Sequence, residues 1–68
     1  MTNTALLKEY IYKSGLKVSF ISEQLFISRS ALYQKIENKS DFRQKEIRRL
    51  CELLEIEDPK EQAKIFLS

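Results

Sequence analysis

Apolar residues recur along this chain at the three-to-four spacing of helices that each turn one face inward, and no stretch alternates at the two-residue period of a strand. Leu6, Leu7, Tyr10 and Ile11 form the first stripe, on a helix expected from Thr4 or Ala5 to about Ser14. Asn3 or Thr4 can cap its start, and Gly15, the only glycine in the chain, suits the left-handed residue that ends it. Val18, Ile21 and Leu25, then Ile27, Leu32 and Ile36, give two short helices between Val18 and Asn38, joined by a turn at Phe26-Ile27-Ser28. Ser28 is placed to cap the second of these through its hydroxyl.

A polar connection, Asn38-Lys39-Ser40-Asp41, favours a turn, and Phe42 beside it is expected to fold back and plug the core. Ile47, Leu50, Cys51 and Leu54 mark a fourth helix from Arg43 or Gln44 to Leu54, with Cys51 on the buried stripe as a small hydrophobe. Asp58-Pro59-Lys60-Glu61 places aspartate at the N-cap, proline at the first helical position and glutamate at the third, a capping-box variant that opens a fifth helix running to about Phe66. The apolar run Ile65-Phe66-Leu67 must then either lock onto the first helix or dock into a second copy of the chain. The expected class is all-α, with five short helices.

In the segment after Ser28, Arg29, Ser30, Tyr33 and Gln34 fall where the apolar residues do not. A row of long hydrogen-bonding side chains therefore faces outward, as a helix that reads a nucleic-acid groove requires.

Length and composition narrow the function classes. A chain of 68 residues reads as one domain that buries about 60% of its unfolded surface. One cysteine allows no intramolecular disulfide, no apolar run approaches a membrane span, and the polar start Met1-Thr2-Asn3-Thr4 is no secretory signal, so a cytoplasmic location is expected. With no histidine, a single cysteine and a single glycine, the chain lacks the common general base, a metal-ligand set and a phosphate-cradling loop. No catalytic residue, metal, cofactor or small-molecule substrate is expected. The net charge of +2 is modest but uneven: basic residues dominate from Arg29 to Arg49, and acidic ones dominate after Cys51. Such a distribution would orient the molecule on a polyanion.

Val18 to Asn38 resembles the helix-turn-helix of the Cro and lambda-repressor-like (XRE-type) family of small DNA-binding regulators, with Ile21, Leu25, Ile27 and Leu32 at its buried positions. The run ISRSALYQKIENKS, a serine-capped second helix followed by a polar Asn-Lys turn, is similar to phage and bacterial members. The resemblance implies a compact five-helix DNA-binding domain whose second motif helix, about Ser28 to Glu37, lies in the major groove of double-stranded DNA. It places Arg29, Ser30 and Gln34 at base edges, with Tyr33 at a phosphate or a thymine methyl. Lys17, Ser19, Ser28 and Lys39 fall at or near phosphates, and Lys35 and Arg43 supply further backbone charge. It also implies a homodimer on two half-sites, for which the fourth and fifth helices, especially Ile65, Phe66 and Leu67, are the candidate surface, and a size closer to a Cro-type switch protein than to a full-length repressor.

The chain departs from the family pattern in three places. Val18 stands where many members have glutamine, Ser22 replaces a small alanine, and Phe26 occupies the turn position usually held by glycine. A bulky residue at positive φ costs about 1–2 kcal/mol, so either the turn is strained or its geometry differs. Phe26 also keeps a second reading open: a module of the same fold that captures another regulator, as an antirepressor would, with Phe26 as its anchor.

Overall fold

In the computed structural model, which describes residues 1–67, five helices follow one another: α1 Thr4–Ser14, α2 Val18–Gln24, α3 Arg29–Ile36, α4 Gln44–Leu53 and α5 Pro59–Phe66. No strand occurs among the described residues, and no helix among them is long and apolar enough to cross a membrane. Each helix sends one fully buried side chain to a common centre: Leu7, Ile21, Leu32, Leu50 and Ile65. Ile11, Leu25, Ile36, Cys51, Leu54, Ile56 and Phe66 complete the core around them.

The helix starts follow the expected caps. Asn3 accepts from the Leu6 N–H at 3.1 Å, Ser28 from the Ala31 N–H at 3.0 Å and Asp58 from the Lys60 N–H at 2.9 Å, each satisfying one of the amides a helix leaves without a partner. The reciprocal half of the box at α5 is absent. Glu61 turns instead to α1, where it accepts from the Tyr10 hydroxyl at 2.7 Å.

The helix ends share one device. Gly15, Phe26, Asn38 and Glu55 all have positive φ, at 73°, 59°, 64° and 57°. At Phe26, Asn38 and Glu55 two crossed backbone bonds close the end as a Schellman motif: Phe26 N–H to Glu23 O and Ile27 N–H to Ser22 O, each 3.1 Å, show the pattern. After α1 the outer bond is replaced by a serine. Ser14 Oγ donates to Ile11 O at 2.6 Å and accepts from the Leu16 N–H at 3.1 Å.

Two expectations about the C-terminal run are resolved by burial. Ile65 and Phe66 lie inside the monomer, so neither is free to form a dimer surface. Ile65 O accepts from the Asn3 N–H at 2.6 Å, while the Phe66 ring meets Phe42 edge-on at 5.6 Å between centroids. The physical reason is the core's small size: without these two side chains α5 would have no apolar face against α1 and α4. Leu67 remains exposed. Phe42, half-buried, packs against the core as its position beside the polar loop implied.

Candidate nucleic-acid interface

The outward face of α3 follows from its anchoring. Leu32 and Ile36 point into the core, and at 100° per residue Ser30 and Gln34 then fall on the opposite side and Tyr33 on the flank, while Arg29, three residues before Leu32, stands toward the core side at the first helical position. All four are exposed, and Tyr33 is 51% accessible. No ion pair or side-chain hydrogen bond among the described residues engages the Arg29 guanidinium or the Gln34 carboxamide. Gln34 is held through its backbone, whose carbonyl accepts from Lys39 N–H at 2.8 Å and Ser40 N–H at 3.3 Å. The side chain is thereby left free at the end of a fixed helix.

The first turn of α3 is fixed by Ser28, whose hydroxyl is committed to the Ala31 amide. Tyr33 shares a shallow apolar groove of about 450 Å³ with Tyr12, Leu16 and Val18, so the face of α3 adjoins the entry to α2. Lys17, the N-cap of α2, is exposed there, while Ser19 is half-buried with its carbonyl accepting from Ser22 Oγ at 2.9 Å. Lys39 and Arg43, on the connection to α4, are exposed and enter no ion pair among the described residues.

Lys35 must be taken out of the phosphate-contacting set. Its Nζ lies 2.6 Å from Glu46 Oε1, and the two side chains are only 12% and 9% exposed. The same oxygen accepts from the Arg43 N–H at 2.8 Å, capping α4. Burial pushes the Glu46 carboxyl up, but the Arg43 amide and the Lys35 ammonium outweigh it and hold it below the ordinary carboxylate value. Lys35 is therefore a neutralised link between α3 and α4. Helical spacing put it on an outward position, and only the approach of α4 turns that position inward.

A second link ties α4 to α2, where Arg49 donates to the Gln24 side-chain oxygen. A third secures the end of α3: Asn38 Oδ1 accepts from the Thr2 N–H at 2.8 Å and Asn38 Nδ2 donates to Thr2 O at 2.5 Å. The N-terminal segment thus behaves as a short strap across the C-terminus of α3, with Thr4 Oγ1 donating to Ile36 O at 2.5 Å. These partners lie far apart in sequence. The cue available was Asn38 itself, a residue that tolerates the left-handed conformation and carries both a donor and an acceptor.

The turn before α3 carries the most unusual side chain. Phe26 is 94% exposed although its backbone sits at φ 59°. The ring lies in solvent, and the backbone that carries it is in the left-handed region. Tyr12, another exposed aromatic, stands off the apolar stripe of α1, so helical spacing carries no signal for it.

No family model, curated protein or solved structure matches the chain.

Proposed function

We propose that this chain binds double-stranded DNA sequence-specifically as a small transcriptional regulator, similar to Cro and lambda-repressor-like proteins, with α3 as the helix that enters the major groove. The reading is carried by one observation: Arg29 and Gln34 are exposed on an anchored helix, with no partner for their polar heads among the described residues. Arginine there can donate twice to guanine O6 and N7, and glutamine can pair with adenine N6 and N7. Ser30 adds a less selective contact, and Tyr33 meets a phosphate or a thymine methyl. Lys17, Ser19, Ser28, Lys39 and Arg43 supply the backbone contacts that set register.

A single module of this size buries only about 600–1,000 Å² on a duplex, so the active form is a homodimer on two half-sites. With Ile65 and Phe66 committed to the core, its contact surface involves other residues of the C-terminal end, Leu67 among them.

The deciding experiment selects preferred duplexes from a random pool and then titrates salt on the winner and on a scrambled duplex. A recovered consensus, together with log affinity falling linearly against log salt, supports the reading. Absence of both would defeat it.

A further inference from the structure

We infer that the groove between the α2–α3 turn and α4 is a docking site for an acidic amphipathic helix of a partner protein, with Phe26 as its apolar anchor. The groove has a volume of about 660 Å³. Its apolar lining comes from Phe26, Ile27 and Ala31, and its basic lining from Arg43, Lys45 and Arg49. The Lys35–Glu46 pair also lines it but is internally neutralised, so the charge it presents is positive. Arg43 and Lys45 form no ion pair among the described residues, and the Arg43 guanidinium acts on Glu46 only at longer range.

Phe26 gives the site its meaning. The Schellman end after α2 is met at no conformational cost by glycine, and a phenylalanine there contributes nothing to the core. A bulky side chain kept at a strained position and held out into solvent is stability given up for a contact outside the monomer. Beside an apolar trough that contact is an apolar one. Arg43 and Lys45 enter no ion pair among the described residues and Arg49 shares its charge with Glu52 at 3.7 Å, so the rim stays basic and the partner surface is acidic. An amphipathic helix offers both, apolar anchors at i, i+3 and i+4 and carboxylates on the flanks. A duplex backbone supplies the charge but no side chain to fill the trough, which favours a protein ligand over a nucleic acid. Docking in this groove does not require that α3 read DNA; the two readings share Arg43, and the variants that test docking, at Phe26 and Lys45, lie outside the residues assigned to DNA.

The test is a display selection of helical peptides of about sixteen residues against the whole chain, followed by affinity measurements on the enriched sequences. Enriched peptides should carry Glu or Asp with Leu, Phe or Met at i, i+3 or i+4. They should lose at least about tenfold in affinity against Phe26→Gly and against Lys45→Glu. Phe26→Gly relieves the turn, so the variant that loses the peptide should be more stable than the original chain, and failure to fold cannot account for the loss. Amide shifts on binding should centre on Ile27, Ala31 and Lys45. The proposal is overturned if nothing enriches, if the enriched peptides are not acidic, or if they bind Phe26→Gly undiminished. It is equally overturned if random-sequence duplex DNA, rather than peptide, shows the Phe26 dependence.

Discussion

Lys35 and Glu46 join α3 to α4 through a contact of 2.6 Å between two nearly buried side chains, and the same carboxylate closes the first turn of α4. One residue thus fixes both the angle of the outward helix and the start of the next. Glu46→Ala leaves an ammonium and an amide without their acceptor, so unfolding in urea should show a loss of about 2–3 kcal/mol. Glu46→Gln keeps the cap, loses the charge, and should fall between.

The same pair sets an acid limit. A carboxyl held below its ordinary value contributes stability that is fully present above the unfolded-state value, 4.5 for glutamate, and is lost as pH falls from there through the folded-state value. Thermal melts from neutral pH downward should therefore show a decline beginning near pH 4.5 that is smaller in Glu46→Gln. An identical acid decline in the variant would assign it to other carboxylates.

Left-handed residues give a paired test. Gly15 has φ 73° with open space where a Cβ would stand, so Gly15→Ala tests conformation alone and should lower stability by about 1 kcal/mol. Phe26→Gly is the mirror case and should raise it by about 1 kcal/mol, or roughly 4–8 °C in melting temperature for a domain of this size. Glu55→Gly should behave in the same direction.

Asn38 combines that conformation with the strap to Thr2. Asn38→Gly keeps the backbone freedom and loses the three side-chain bonds, two to Thr2 and one to Thr4 Oγ1, for a cost of about 1–2 kcal/mol; Asn38→Ala adds the strain and should cost about 2–3 kcal/mol. Amide exchange should speed most at the N-terminal segment and the last turn of α3. Uniform acceleration across all helices would mean that the strap is not local.

On DNA, Arg29→Ala should relax preference at one base pair of the selected site by about 1–3 kcal/mol of discrimination. Lys39→Ala should weaken all duplexes about equally and reduce the salt slope by roughly 0.9. Lys35→Gln, by contrast, should leave the salt slope unchanged and lower the melting temperature. Equal behaviour of Lys35 and Lys39 in the salt titration would return Lys35 to the interface.

By itself the sequence determined what depends on neighbours a few residues away. Helical bounds, the caps at Asn3, Ser28 and Asp58, the left-handed end at Gly15 and the buried stripes all follow from short-range spacing and from which side chains can satisfy a free amide. The outward face of α3 was legible for the same reason at Ser30, Tyr33 and Gln34, since Leu32 and Ile36 fix which side is left, whereas Arg29, on the side of Leu32, is exposed at the open first turn. Only the tertiary structure decided the rest. Whether Lys35 faced solvent depended on where α4 carries Glu46, and whether Ile65 and Phe66 faced a second copy depended on the room left between α1 and α4. Asn38 found Thr2, and Tyr10 found Glu61, across distances in sequence that no local pattern encodes. The resemblance alone pointed to a left-handed turn at Phe26 and left a different turn geometry open, which φ 59° decides; the exposure of its ring was set by how the neighbouring helices close without it.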